Sequence, residues 1–286
     1  MDAREAAYNR MVQGLIDRVD KLSDREVSRV FGILEDARAE IEKMVATTEW
    51  RAEMIPQMRD AVNRAAERFR QRYTAAHKTS LDNMWNAGID MVDSPLSRAG
   101  IRIVAPELNR TTLEVLQGYS VDLIRGLTDD LMKKINGELT LGVLGQKTSW
   151  EVMQGIGRNL KEGAIDSFAS RAETIARTEL GRIHSAARQA RIEAVAAHNP
   201  ELRFYKRWIH SGNRHFRPNH RALHNVVVPL DKNFPGGIPY PHAPGLPAKE
   251  VINCACTHVI TMSEWEKQGG NREPIPYQDR AAYNNE

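Results

Sequence analysis

Apolar residues recur at steps of three and four from Ala3 to about Asn199, and the recurrence stops at Asn199-Pro200. A chain patterned in this way must bury helical stripes, because residues three and four apart share one face of a helix. The residue before a proline avoids the helical region, so Asn199 ends the last long helix. Beyond Pro200 the texture becomes that of short strands and loops.

The stripes can be taken in order. Tyr8, Val12, Leu15, Val19 and Leu22 form the first. Ser23-Asp24-Arg25-Glu26 reads as a capping box and predicts a new helix start, with Val27, Val30, Leu34, Ile41 and Met44 as its stripe. Pro56, with no amide to donate, predicts a break. The following helix carries Met58, Val62, Ala65, Phe69 and Tyr73 on one side. Its other side bears Arg59, Arg64, Arg68, Arg70 and Arg72, a face read as solvated in preference to DNA-contacting.

Asp93-Ser94-Pro95 and Gly100 predict an interruption, with Pro106 in a first helical turn. Leu113, Leu116, Leu123, Leu127, Leu131 and Ile135 predict a long helix ending at Asn136-Gly137, while Leu139 to Gly145 has no clear assignment. Ser149 reads as the N-cap of a helix through Leu160, followed by a turn at Lys161-Glu162-Gly163. A helix from about Ser167 to Ala197 has Phe168, Ile175, Ile183 and Ala187 on its core side, with Arg171, Glu179 and Arg182 pointing elsewhere.

Leu202 to His210, Val226 to Val228 and Cys254 to Thr261 read as strands, the last two separated by a proline- and glycine-rich loop. The fold class is therefore α+β. An elongated, mainly helical region over 1–163 precedes a small α+β domain over 164–268 with a His/Cys-rich clasp, and 269–286 is a polar tail.

With 286 residues and a net charge of +3, the global balance demands no nucleic-acid partner. No apolar run approaches the roughly 20 residues needed to span a bilayer, and the first residues lack a secretory pattern, so a cytosolic origin is expected. Local charge is more informative. Arg203, Lys206, Arg207, Arg214, Arg217 and Arg221 occur with no acid among them, which suits non-specific neutralisation of phosphate.

The stretch from His210 to Cys256 holds both cysteines and most of the nine histidines. Cysteines one residue apart cannot form an ordinary long-range bridge, so metal ligation or free thiols are the better readings. On a strand Cys254, Cys256 and His258 would share a side. A structural zinc site of His220, Cys254, Cys256 and one of His224, His215 or His258 is chemically reasonable. A metal-dependent nuclease of His-Asn-His type, with His220 or His224 activating water, is the catalytic alternative. Protease, esterase and NTPase motifs are absent from the sequence.

The ordered set Ala176-Arg177-Thr178-Glu179, Trp208, Arg217-Pro218-Asn219-His220 and Asn253-Cys254-Ala255-Cys256 resembles the phage Mu F-like minor head (head morphogenesis) proteins. The resemblance covers about Ser167 to Thr261. Relative to the family pattern, Asn213 replaces an aspartate, His224-Asn225 replaces Asp-Gly, and Ala255 stands where an arginine is usual. Asn225 can still supply a left-handed turn, and His224 becomes a possible extra ligand.

The resemblance implies a minor capsid protein of a tailed phage or prophage head, acting by binding and not as an enzyme. Its partners would be the portal protein, the major capsid protein and packaged double-stranded DNA. Its place would be the capsid interior at the portal vertex, after assembly in the host cytoplasm. Arg177 and Glu179 read as a polar pair fixing the helix to the strands, and Trp208 and Phe216 as core. His77, His184 and His198 read as ordinary surface or packed residues.

Overall fold

The structure is a computed structural model that describes residues 3–160, 167–210 and 216–262. Five long helices precede the sheet: α1 (Ala3–Thr47), α2 (Ile55–Arg98), α3 (Thr111–Val143), α4 (Ser149–Leu160) and α5 (Phe168–His198). Strands β1 (Phe204–Ile209), β2 (Val227–Pro229) and β3 (Thr257–Met262) follow, with short helices α6 (Pro218–Ala222) and α7 (Ala248–Val251) between them. The α+β class holds. The turn expected at 161–163 and the polar tail lie outside the described residues.

The chain forms two compact units that interleave along the sequence. A helical unit comprises Ser23–Ser80 and Val115–Ala176, and a sheet unit comprises Met1–Leu22, Leu81–Glu114 and Arg177–Glu286. Contact therefore does not follow the linear division near residue 163. Among the described residues, the first turns of α1 fall in the same unit as the strands.

In the helical unit, the core joins Val30, Leu34 and Ile41 with Val62, Phe69 and Tyr73, and with Leu127, Leu131 and Ile135 of α3. Phe168 meets Phe69 edge-on at 5.4 Å. The arginine face of α2 is solvated and laced to acids, as in the Arg72–Asp36 pair at 2.8 Å and the Arg70–Glu67 pair at 2.6 Å.

Several helix ends differ from expectation. α1 runs unbroken through Ser23–Glu26, because Glu26 is not a cap but a buried carboxylate that accepts from Ser80 at 2.6 Å and sits 3.1 Å from His77 Nδ1. The break falls before Pro56, which takes a place in the first turn of α2. α2 likewise continues through Asp93-Ser94-Pro95 to Arg98 and is closed by Gly100, whose φ of 71° allows the paired closing bonds Gly100 N–H to Ser97 and Ile101 N–H to Leu96, both 2.9 Å.

Pro106 lies in the non-helical stretch before α3, not in a helical turn. α3 passes Asn136-Gly137 because Leu139 is fully buried and extends the stripe. The cap of α4 is Thr148, one residue early, in a reciprocal box with Glu151 at 2.8 and 3.2 Å.

The sheet is antiparallel in the order β2-β1-β3, with Trp208 opposite His258 and Lys206 opposite both Val228 and Ile260. Ile209, Val259 and Ile260 join Tyr8, Val12, Met91 and Ile192 in one core, while Trp208 joins Leu223, Phe234 and Ile238 in another. Tyr8 donates to the Ile260 carbonyl. Asn199 pins the stretch before α3 by bonding both the amide and the carbonyl of Val104, at 3.1 and 2.8 Å.

Candidate metal centre

His220 is presented by α6, which Pro218 starts without needing a capped amide. The turn after it reverses through Asn225, whose φ of 64° is the left-handed conformation expected there. The amide of Asn225 donates to the Trp208 carbonyl at 2.8 Å, and the Trp208 ring packs edge-on to His220 at 5.3 Å. β1 thus sets the height of the imidazole.

The cysteines lie on the turn before β3, not on the strand as expected, so Cys254, Cys256 and His258 do not converge. Asn253, at φ 52°, directs this turn, and its amide donates to the Thr178 hydroxyl at 3.1 Å. Gly181, one helical turn further along α5, gives the room: a Cβ there would lie 2.7 Å from His242 Nε2 and 3.4 Å from the Cys254 carbonyl. The Ala176–Glu179 signature is therefore the start of a docking face for the cysteine turn.

Both sulfurs converge on one ring nitrogen. Cys254 Sγ is 3.5 Å and Cys256 Sγ 3.7 Å from His220 Nδ1, and Nε2 of the same ring donates to Glu250 Oε2 at 2.7 Å. His220, Cys254 and Cys256 are buried at 2, 5 and 7% exposure. Together they form a group able to hold a metal ion.

The electrostatics follow from this packing. The bond from Cys256 lowers the Cys254 pKa, and His220 and His242 assist against the opposing effect of burial, leaving it well below the usual thiol range. Burial disfavours the His220 cation, but Cys254 and Glu250 outweigh it and raise the pKa. Burial also opposes ionisation of Glu250, yet bonds from Asn219 and His220 hold its carboxyl below the ordinary value.

His224 and His258 do not join the group. His224 Nδ1 accepts the His210 amide at 3.1 Å, and His258 Nε2 bonds Gln189 at 3.0 Å. His215 lies outside the described residues.

The basic residues separate by role. Lys206 and Arg207, at 3 and 6% exposure, point into the sheet unit, donating to the Pro239 carbonyl at 2.8 Å and to Asn9 at 2.9 Å. Arg217 grips the cysteine turn by donating to the carbonyls of Lys249 and, at 2.6 Å, Ile252. Arg203 and Arg221 are exposed, and Arg214 lies outside the described residues.

Glu179 is buried at 2% exposure, with Arg182 at 3.5 Å, and does not point away from the core. Phe216 is not core either; it is exposed beneath the Arg221 guanidinium, 4.7 Å from its ring centre. Glu250 and the clamping role of Arg217 escaped sequence reading. The cue for Glu250 was an acid one helical turn ahead of Cys254.

The fold and site define a helix-rich α+β protein whose sheet unit carries a His/Cys cluster able to hold a metal ion. Residues 134–259 match the family model described as Phage Mu protein F like protein, and over that stretch the chain is similar to this family. The matched range contains all four pieces of the sequence signature. The chain matches no curated protein and no solved structure. No helix among the described residues is long and apolar enough to cross a membrane.

Proposed function

We propose that this chain is a minor capsid protein of a tailed phage or prophage, acting in head assembly by binding and not by turnover. The family match over residues 134–259 is the observation that carries the reading. Its partners in this reading are the portal and major capsid proteins at the portal vertex, inside the head. The His/Cys cluster serves as a structural clasp with zinc as its ion.

Contact with packaged DNA would fall to exposed Arg203 and Arg221, with Arg214 as a further candidate, because Lys206, Arg207 and Arg217 are spent on internal acceptors. The nuclease alternative is disfavoured by His220 itself. A general base needs a nitrogen within reach of water, and both of its nitrogens are engaged inside the unit.

Mass spectrometry of purified particles tests the reading. Low-copy recovery of the chain with intact heads, and defective heads on its deletion, are expected. Normal infectious particles without the chain overturn it. If Arg203→Glu with Arg221→Glu leaves the salt dependence of DNA retention unchanged, the DNA contact is wrong while head membership stands.

A further inference from the structure

Resting on the clasp reading, we infer that His220 Nδ1, Cys254 Sγ and Cys256 Sγ are three ligands of one zinc ion, and that Glu250 is the outer carboxylate that aims the His220 ring at it.

The first reason is a matter of valence. Nδ1 of an imidazole has one lone pair or one proton, so it can serve one thiol and not two. Two sulfurs at 3.5 and 3.7 Å from the same nitrogen are more than one thiol–imidazole bond accounts for, and neither cysteine is in a disulfide. A cation between the three atoms satisfies all of them. Tetrahedral zinc, with bonds of about 2.3 Å to sulfur and about 2.0–2.1 Å to nitrogen, separates those atoms by about 3.6 Å.

The second reason is the opposite side of the ring. A carboxylate accepts only from a protonated nitrogen, so the 2.7 Å bond to Glu250 places a proton on Nε2, and in the neutral ring that a metal binds the Nδ1 lone pair faces the sulfurs. Asn219 holds the same Glu250 oxygen at 3.1 Å, fixing the carboxylate in turn. Glu250 is thus a positioning residue. It does not touch the ion.

The third reason is preorganisation. Arg217, Thr178 and the left-handed Asn253 hold the cysteine turn, and β1 holds His220 through Trp208. Two thiolates and an imidazole select a soft, tetrahedral ion. No fourth side chain among the described residues joins the group.

The test uses the full chain. Metal analysis is expected to find roughly one zinc per chain, and the cobalt-substituted protein to show thiolate-to-cobalt absorption with tetrahedral visible bands. Cys254→Ser and Cys256→Ser should each lose stoichiometric metal, while His224→Ala and His258→Ala keep it. Should the cysteine variants fail to fold, the cobalt spectrum of the parent still reports its thiolates.

Glu250→Gln should fold and retain the cobalt spectrum but bind zinc about 10- to 100-fold more weakly in competition with a chromophoric chelator. Metal-free protein with freely titratable thiols overturns the clasp altogether. Parent-like zinc affinity in Glu250→Gln overturns only the role of Glu250. Loss of zinc in His224→Ala overturns the ligand set.

Discussion

Gly181 and His242 touch where no side chain could stand between them: a Cβ on residue 181 would lie 2.7 Å from His242 Nε2, which itself donates to the Cys254 carbonyl at 2.6 Å. The imidazole fills the gap that glycine leaves on α5 and ties that helix to the cysteine turn. Gly181→Ala should destabilise the protein by about 1–3 kcal/mol through overpacking, read as a lowered midpoint in urea. Gly14→Ala, where nothing lies within 4 Å, is the control and should instead stabilise slightly.

Arg217 spans two carbonyls, and a lysine cannot reproduce that fork. Arg217→Ala should cost about 1.5–3 kcal/mol, the range for hydrogen bonds made by a charged group, and Arg217→Lys should recover little of it. Equal unfolding midpoints for Arg217→Ala and the parent would remove the clamp from the account.

In the helical unit, Glu26 organises His77, Ser80 and Arg29. Glu26→Ala should cost about 1–3 kcal/mol for each buried partner left unsatisfied, whereas Glu26→Gln, which keeps one acceptor, should cost less. Thermal unfolding of the two variants distinguishes this from simple loss of helix propensity, which would make alanine the better residue.

His184 is fully buried, and burial first, then Arg188 and His242, hold its pKa well below 6.5, against a bond to the Ala87 backbone. Burial first, then Arg188, Lys206 and His184, likewise hold the His258 pKa well below 6.5. The unfolded chain takes up a proton near pH 6.5 that folded His184 refuses, so its contribution is intact above that pH and lost as pH falls toward the depressed value. Stability should drop by up to about 1.4 kcal/mol per pH unit on this account. His184→Gln should flatten the acid limb relative to the parent; parallel limbs would refute the assignment.

What the sequence made legible was periodic or local. The stripes through Phe69 and Tyr73 and through Leu127 and Ile135, and the left-handed Asn225, follow from spacing and from the short polar side chain of asparagine. Helix ends were less legible. Ser23–Glu26 has the composition of a cap, yet whether it acts as one depends on a distant Ser80 waiting for the carboxylate. The candidate ligands His220, Cys254 and Cys256 could be read from chemistry alone, but not the exclusion of His224, whose nitrogen is taken by an amide 14 residues away. Nor could spacing reveal that Lys206 and Arg207 turn inward, because strand periodicity gives alternation and not which elements cover each side.

The bond from Tyr8 to Ile260 joins residues 252 apart. Helix α1 therefore has to wait for β3 until the residues between them have been synthesised, since a contact of such separation cannot form earlier. A nascent chain truncated before β3 keeps the apolar faces of Tyr8, Val12 and Met91 without Val259 and Ile260. Copies lacking β3 would thus advertise themselves to holdases and proteases as sticky and open.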